Sequence, residues 1–170
     1  GGFLRCTVDK TRVKDIDIFS KSPEYALDAA KCLNAYTTQV GEYKVVTSKN
    51  AYSLKNVSGY FVQFIHRWYY PDPESLLNSF DFTIARAAIW YDKTTKQWDS
   101  LVDDEFYADV AAKRLSFKFP VRQEDPAGSL LRVIKFAKKG YNIPSKSLAG
   151  VVARVARHAE EINKEHTIRV

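Results

Sequence analysis

The sequence predicts an α/β (α+β) protein in which a mixed β-sheet is flanked by helices and followed by a helical C-terminal segment. Two patterns support this fold class. Short apolar stretches bounded by turn residues dominate residues 1–102, and apolar residues at helical spacing dominate residues 103–170. The chain of 170 residues, 45% of them hydrophobic, is long enough to bury a core. We therefore predict an α/β core over residues 1–102 and a helical segment over residues 103–170 that packs on or beside it.

The first half of the chain contains most of the candidate strands. Residues 14–19 alternate between polar and apolar side chains, which is typical of a strand with one buried face. Ser22 and Pro23 then favour the start of a helix, because serine can cap it and proline suits its first turn. Further strands are predicted at residues 44–48, 51–54 and 59–68, the last of them in the centre of the sheet.

The second half is predicted to change from strands to helices. Residues 71–74 are expected to start a short helix that runs through Leu77, and residues 80–91 form a further apolar run that ends in a turn. Longer helices are predicted at residues 103–115, 124–139 and 144–164. Gly140 is well suited to end the second of these helices.

Composition limits the class of partner and the location. A net charge of +6 and a pI near 9.2 favour polyanionic partners such as nucleotides or nucleic acid, although a basic protein without such a partner has the same composition. The two cysteines, Cys6 and Cys32, fit neither a metal-ligand pattern nor a disulfide framework, which predicts a reducing, cytoplasmic location. We see no stretch with the length of a membrane span and no signal-peptide pattern.

The most informative motif is Asp15-Ile16-Asp17-Ile18. In a strand, side chains i and i+2 share a face, so Asp15 and Asp17 project together while Ile16 and Ile18 are predicted to enter the core. Two adjacent carboxylates repel each other, and a pair of divalent ions about 4 Å apart would satisfy both and orient a triphosphate. The alternative is a strand edge with two solvated acids.

A second motif is the pair Gly1-Gly2. Glycines at a turn between a strand and a helix let backbone N–H groups approach phosphate oxygens. The alternative is a remnant of cloning. The pair gains weight from its distance to Asp15 and from the residues Phe3-Leu4-Arg5 that follow it.

Four segments carry a resemblance to a known family, in the same order along the chain: Gly1-Gly2-Phe3-Leu4-Arg5, Asp15-Ile16-Asp17-Ile18, Asp81-Phe82-Thr83-Ile84, and Glu124-Asp125-Pro126 with Leu131-Arg132 and Lys135-Phe136-Ala137. They resemble the polymerase-β-like nucleotidyltransferase superfamily, and within it the branch of tRNA CCA-adding enzymes and bacterial poly(A) polymerases. That branch has a Gly-Gly-x-Val-Arg-Asp opening, a Lys-Asp-x-Asp strand, an Arg-Arg-Asp-Phe-Thr-x-Asn motif and a Glu-Asp-Pro helix start. The resemblance implies a nucleotidyltransferase-like sheet.

The sequence departs from this branch at several positions: Cys6 in place of Asp, Ser79 and Phe80 in place of the two arginines, Ala85 in place of Asn, and Gly128 near the position of the base-reading Arg. The phosphate-facing opening is retained better than the base-selecting parts. These differences favour a divergent relative over a CCA-adding enzyme.

The resemblance implies transfer of a nucleoside monophosphate from an NTP to an acceptor, expected to be RNA, with pyrophosphate leaving. Asp15 and Asp17 would hold two Mg²⁺ ions, and Asp81 would complete the site as a third carboxylate that aligns the acceptor hydroxyl. The expected nucleotide-binding residues offer backbone N–H groups or positive charge: Gly1, Gly2, Arg5, Arg132 and Lys135.

Alternatives remain open at each level. Asp81 could instead be a structural residue that accepts backbone hydrogen bonds, and the central strand presents Gln63 where it could have presented an acid. The run Trp68-Tyr69-Tyr70 could stack bases or pack as core and rim. The rival function is a catalytically degenerate relative that binds nucleotide, nucleic acid or a protein partner, and a toxin-type nucleotidyltransferase is a third interpretation.

Overall fold

The structure is a computed structural model that describes residues 1–20, 22–38, 45–55, 59–122 and 126–168. The side chains of Lys55 and of residues 160–168 lie outside this description. The chain forms two compact units, Gly1–Leu76 and Leu77–Val170. The division predicted after residue 102 stays a prediction about domains.

The first unit contains a four-stranded mixed sheet. Its elements follow in chain order: α1 (Gly2–Val8), β1 (Asp15–Phe19), α2 (Pro23–Thr38), β2 (Val46–Thr47), β3 (Ala51–Lys55) and β4 (Phe61–Ile65). The strand order is β1-β4-β3-β2, with β1 parallel to β4 and the other neighbours antiparallel. The predicted central strand therefore lies inside the sheet, whereas β1 lies at its edge.

The core of the first unit lies between α2 and one face of the sheet. Leu54, Val62 and Phe64 project from the two inner strands, and Ala26 and Ala30 meet them from α2. The strand residues alternate with period two and the alanines are spaced by four, so each element presents one apolar face. Small side chains on the helix allow it to approach the sheet closely, and the opposite sheet face stays away from α2.

The second unit is built from a hairpin and helices. Its elements are a 3₁₀ turn (Thr83–Ala85), β5 (Ala87–Asp92), β6 (Gln97–Val102), α4 (Phe106–Ala111), α5 (Pro126–Ala137) and α6 (Ser145–Ile168), while α3 (Pro73–Asn78) crosses from the first unit. β5 and β6 pair antiparallel. The core side chains include Phe82, Ile84, Phe106, Val110, Leu115 and Val151. Within the described ranges, no helix combines the length and the apolarity needed to cross a bilayer.

A buried ionic group links the 3₁₀ turn that precedes β5 to α4. Asp109 is fully buried, accepts a hydrogen bond from the Thr83 hydroxyl, and pairs with Arg114 at 2.5 Å between Oδ1 and Nε. The Arg114 amide also donates to the Asp109 carbonyl. A buried carboxylate needs such partners, because leaving it unpaired in the interior is costly.

The predicted mixed sheet with flanking helices and a helical C-terminal part is confirmed, and most differences concern the ends of elements. Residues 59–68 contribute a strand only at 61–65, and the helix predicted at 103–115 spans only Phe106–Ala111. Lys113 adopts a positive φ of 48°, which ends that helix. α5 is described from Pro126, and Glu124-Asp125 lie outside the described residues. Gly140 follows α5 with φ of +82°, as expected for a glycine stop.

Gly150 on α6 provides a test of the packing in the second unit. A Cβ placed on Gly150 would lie 2.7 Å from Cδ1 of Phe117. The Phe117 ring is itself held edge-on by Phe82 at 5.7 Å and by Phe119 at 5.0 Å between ring centroids. The ring therefore cannot yield without disturbing its neighbours.

We predict that Gly150→Ala lowers the free energy of unfolding, measured by urea denaturation. Overpacking costs roughly 1–3 kcal/mol and outweighs the roughly 0.5–1 kcal/mol that alanine gains over glycine inside a helix. In a Phe117→Leu background the same change should become neutral or stabilising, because the obstructing ring is gone. A rise in stability for Gly150→Ala alone would contradict the packing described.

Candidate functional site

The Asp15 and Asp17 carboxylates lie on one face of β1. Both residues are exposed, while Ile16 between them is only partly exposed. Ile18 was predicted to enter the core, and this is wrong: it is 38% exposed. β1 is an edge strand with a neighbour on one side only, so the face opposite the carboxylates is incompletely covered.

Neighbouring strands continue the carboxylate face with neutral polar groups. Asp17 is in register with Gln63 of β4, and Gln63 is in register with Ser53 of β3. Residues directly paired in a sheet project to the same face. The Gln63 side-chain amide donates to the Ser53 hydroxyl at 3.4 Å. A row Asp17–Gln63–Ser53 therefore crosses the sheet, with an amide at the position beside Asp17.

The glycine pair lies beside these carboxylates. A Cβ placed on Gly2 would be 3.9 Å from Oδ1 of Asp15, an ordinary van der Waals distance, so Gly2 lies directly beside that carboxylate. Gly1 is close enough to Asp17 for the two residues to interact electrostatically. Gly1 is the N-cap of α1 and Gly2 is its first residue, so the pair lies at the start of that helix.

Arg5 lies on the buried side of α1. Its Nη2 donates to the sulfur of Cys6 at 3.3 Å. The predicted contact of Arg5 with phosphate stays a prediction. Cys6, which replaces the acid of the resembling motif, here serves as an acceptor for the neighbouring guanidinium.

Asp81 lies in the second unit within a buried ion pair. It is 4% exposed, accepts a hydrogen bond from the Ser129 hydroxyl at 2.7 Å and pairs with Nε of Arg132 at 2.8 Å. Ser129 in turn accepts a bond of 2.5 Å from Nη1 of Arg154, on α6. Ser129 and Arg132 are three residues apart on α5 and therefore share one side of that helix. This arrangement fits the alternative in which Asp81 is a structural residue. Its hydrogen bonds come from side chains, however, and not from backbone groups.

Sequence reasoning missed Ser129 and Arg154 as members of this group. The one indication in the sequence was the i, i+3 spacing of Ser129 and Arg132, which is weak without knowledge of what the helix faces. Arg132 keeps 37% of its side chain exposed although its Nε is engaged. Lys135, one turn further along α5, is exposed.

Among the residues that the structure describes, no three His, Cys, Asp or Glu side chains come together in a group that could hold an ion. The chemistry of the site therefore depends on the two exposed oxygen-donor side chains of β1 and the backbone of the glycine pair beside them.

Asp81→Ala tests the structural role of this residue. Removing the carboxylate leaves Arg132 and Ser129 without their acceptor, and we expect a loss of roughly 3 kcal/mol, at the low end for buried pairs because Arg132 can reach water. The melting temperature should fall by about 6–12 °C for a chain of this size. Asp104→Ala, which removes an exposed carboxylate from the same unit, should leave it unchanged. Equal melting temperatures for the two variants would show that Asp81 has no structural role.

Comparison with solved structures agrees with this architecture. The chain superposes on a tRNA-processing enzyme in apo form (TM-score 0.68, 20% identity, 92% of this chain and 41% of that one). It superposes on a tRNA nucleotidyltransferase complexed with a primer tRNA and an incoming ATP analog (0.66, 18%, 93% and 46%). It also superposes on the Thermotoga maritima CCA-adding enzyme complexed with tRNA (0.59, 19%, 92% and 37%). At these identities the likeness establishes the fold.

Sequence comparison identifies a family. The chain is 28% identical over 153 residues to "Gabija anti-defense 2" of Bacillus phage SPbetaL7, a match that covers 89% of this chain and 35% of that relative. The chain thus spans about a third of the curated relative's length. The model of the Gabija anti-defense 2 family matches residues 1–113, which include the carboxylate strand, the complete sheet of the first unit and the hairpin of the second. The chain belongs to the Gabija anti-defense 2 family.

Proposed function

We propose that this chain is a metal-dependent nucleotidyltransferase domain that transfers a nucleoside monophosphate from an NTP to an acceptor. The observation that carries the proposal is the pair of exposed carboxylates, Asp15 and Asp17, on one face of β1 in a nucleotidyltransferase-like fold. The hydroxyl oxygen of the acceptor forms a bond to the α-phosphorus, the bond to the bridging oxygen breaks, and pyrophosphate leaves. The hydroxyl proton passes to a carboxylate of the site.

The site fits divalent metal. Asp15 and Asp17 are exposed oxygen donors, and Gly2 leaves space beside Asp15 because it has no side chain. Mg²⁺ in nucleotide sites is commonly held by one or two carboxylates and completes its shell with phosphate oxygens and water. Asp15 and Asp17 would hold the two ions, which when bound supply charge neutralisation and orientation of the triphosphate.

The other residues bind and orient the nucleotide. The first hydrogen bond of α1 runs from the Arg5 amide to the Gly1 carbonyl, at 3.2 Å. The N–H groups of Gly1 and Gly2 come before this bond and have no acceptor within the helix. Phosphate oxygens would accept hydrogen bonds from them. The assignment of Arg132 and Lys135, on α5 of the second unit, to nucleotide binding stays a prediction from the resemblance. Arg5 is buried, so its guanidinium would reach a phosphate only from the buried side of α1.

We assign Asp81 to holding Arg132 rather than to the acceptor hydroxyl. Its carboxylate faces a serine and an arginine of α5, and its burial supports a positioning role. Under this assignment Asp81→Ala weakens NTP binding as Arg132→Ala does. Under the third-carboxylate hypothesis it lowers the transfer rate by about 100-fold while affinity stays within about tenfold.

RNA is the proposed acceptor. Two superposing proteins have tRNA in their complexes, one of them with an ATP analog, and the net charge of +6 suits a polyanionic acceptor. The fold alone does not select an acceptor, so the experiment must offer several.

The family supports a second function, action against the Gabija defence system. A phage relative carries the name "Gabija anti-defense 2", and the family model covers the carboxylate strand. Nucleotide transfer is one way to achieve this action, and binding of a defence component by a catalytically inactive fold is the rival. The two are separated by variants that remove chemistry and keep the fold.

Asp15→Asn combined with Asp17→Asn should abolish transfer of label from α-³²P NTPs to RNA or protein in the presence of Mg²⁺. The change removes the metal-binding charges and leaves the core of Leu54, Val62 and Phe64 intact. The rise in melting temperature that Mg²⁺ and NTP give the wild type should vanish too, since ligand stabilises only the form that binds it.

The matched control is Asp28→Asn with Glu74→Gln, which removes two carboxylates of the same unit elsewhere. Wild-type transfer in the double asparagine variant would place the active site elsewhere. Phage plating on Gabija-bearing bacteria adds the second readout. If the asparagine variant no longer protects the phage from Gabija, an enzymatic anti-defense role is supported. If it protects the phage fully, the binding-only rival is supported.

Gln63→Glu examines the polar row. The new carboxylate would lie beside Asp17, and Mn²⁺ or Mg²⁺ affinity should rise roughly tenfold because a charged oxygen replaces a neutral one. Without metal the melting temperature should fall, because a third like charge joins the face. Gln97→Glu adds the same charge to an exposed position in the other unit and should change neither quantity. Unchanged metal affinity in Gln63→Glu would place the ion away from Asp17.

A further inference from the structure

The β5–β6 hairpin carries an exposed aromatic face. In its register Ile89 pairs with Ser100 and Tyr91 pairs with Trp98, so these four side chains share one face. Ile89 and Tyr91 are each 49% exposed and Trp98 is 69% exposed. Large apolar side chains clustered in the open on regular strands mark an interaction surface more often than a core.

The two rings are fixed relative to each other. Tyr91 and Trp98 pack edge to face, with ring centroids 5.7 Å apart and planes at 70°. The extent to which both residues are exposed leaves ring surface open to a planar ligand. Because each ring sits on a paired strand, little conformational entropy is lost when a ligand stacks on it.

The charges of the hairpin favour an anionic ligand at this face. Lys93 and Lys96 lie exposed in the connecting turn. The hairpin's acids, Asp92 and Asp99, project to the opposite face by the alternation of the strands. Each acid also accepts backbone hydrogen bonds of 2.7 Å, Asp92 from Thr94 and Asp99 from Ser100. The aromatic face therefore combines open rings with nearby lysines and no hairpin carboxylate.

We propose that this aromatic face binds single-stranded nucleic acid, with bases stacked on Tyr91 and Trp98 and phosphates near Lys93 and Lys96. Stacking on aromatic side chains beside basic groups is the general mode by which proteins hold unpaired nucleotides without sequence preference. The surface lies wholly within the second unit and does not involve the carboxylates of β1.

The first experiment measures binding of fluorescein-labelled oligo-U and oligo-dT of about 12 nucleotides by anisotropy, with EDTA and without NTP. Trp98→Ala and Tyr91→Ala should each weaken binding by about 5- to 100-fold. Trp98→Phe should keep most of the affinity, whereas Trp98→Leu should lose it, because leucine is apolar but not planar. Tyr107→Ala, which removes a 58% exposed ring from α4, should bind like the wild type.

The second experiment measures the dependence of binding on salt. Lys93→Gln with Lys96→Gln should reduce the slope of log affinity against log salt by about 1.4, or about 0.7 for each phosphate that a lysine no longer neutralises. Lys49→Gln with Lys146→Gln removes the same charge from other exposed positions and should keep the slope. A duplex of the same length should bind more weakly and respond little to Trp98→Ala, since its bases are already stacked.

These measurements separate the proposal from the proposed function. The asparagine variant of Asp15 and Asp17 should bind oligonucleotide like the wild type, so loss of transfer and loss of stacking are distinct results. Wild-type affinity in Trp98→Ala, or equal affinity of Trp98→Leu and wild type, would overturn the proposal. Absence of oligonucleotide binding together with a change in self-association on Trp98→Ala would also overturn it and make the hairpin a protein-binding surface.

Discussion

The site depends on one constraint, the placement of two like charges side by side on an edge strand. Asp15 and Asp17 are separated by a single residue of β1, at roughly 6–7 Å along the strand. In water their repulsion is below about 1 kcal/mol. Burial of Leu54, Val62 and Phe64 on the other side of the sheet contributes roughly 1.5–3 kcal/mol for each side chain. This burial stabilises β3 and β4, and the parallel pairing with β4 holds β1 in register despite the repulsion, with both carboxylates exposed.

The second unit solves a different electrostatic problem. Two of its acids are buried, and each is matched by a cation of the same unit: Asp81 with Arg132, Asp109 with Arg114. Removing one partner of such a pair lowers stability strongly, whereas the intact pair adds little stability of its own. The main effect of the pairs is therefore to fix which helix packs against which segment. Asp81 joins the segment before the 3₁₀ turn to α5, and Ser129 extends the link to Arg154 on α6. The orientation of Arg132 thus follows from the packing of three separate segments.

The sequence predicted most of the elements because the determinants were local. Alternation indicated β1, Pro23 indicated the start of α2, and Gly140 indicated the end of α5. Long-range determinants were out of reach. Asp81 lies 48 residues from Ser129 and 51 from Arg132, so no periodicity could show that its carboxylate would be occupied.

The exposure of Ile18 was missed for a related reason, because strand order decides which strand is an edge and alternation does not reveal strand order. The motif resemblance succeeded for the fold, since it combines four segments in order. It could not give the state of Asp81, since the same acid can face a substrate or a neighbouring helix.

Under the proposed function, the departures from the CCA-adding pattern concern base selection, while the carboxylate pair that would hold the metals is retained. Where that pattern has two arginines, this chain has the buried Ser79 and the partly exposed Phe80. Arg86 comes back to this segment: its Nε donates to the Phe80 carbonyl at 3.0 Å, and Nη1 lies 3.6 Å from Asp103. That guanidinium is thereby used for structure and is withdrawn from a ligand.

An enzyme that adds C, C and A in order needs side chains that discriminate bases, whereas transfer of a nucleotide as such needs metal carboxylates and phosphate-binding groups. The chain has the exposed carboxylate pair beside two glycines, and its substituted positions fall mostly in the base-selecting segments. Under the proposed function, a nucleotidyltransferase in an anti-defense family would be selected for the molecule it modifies rather than for adding bases in a fixed order.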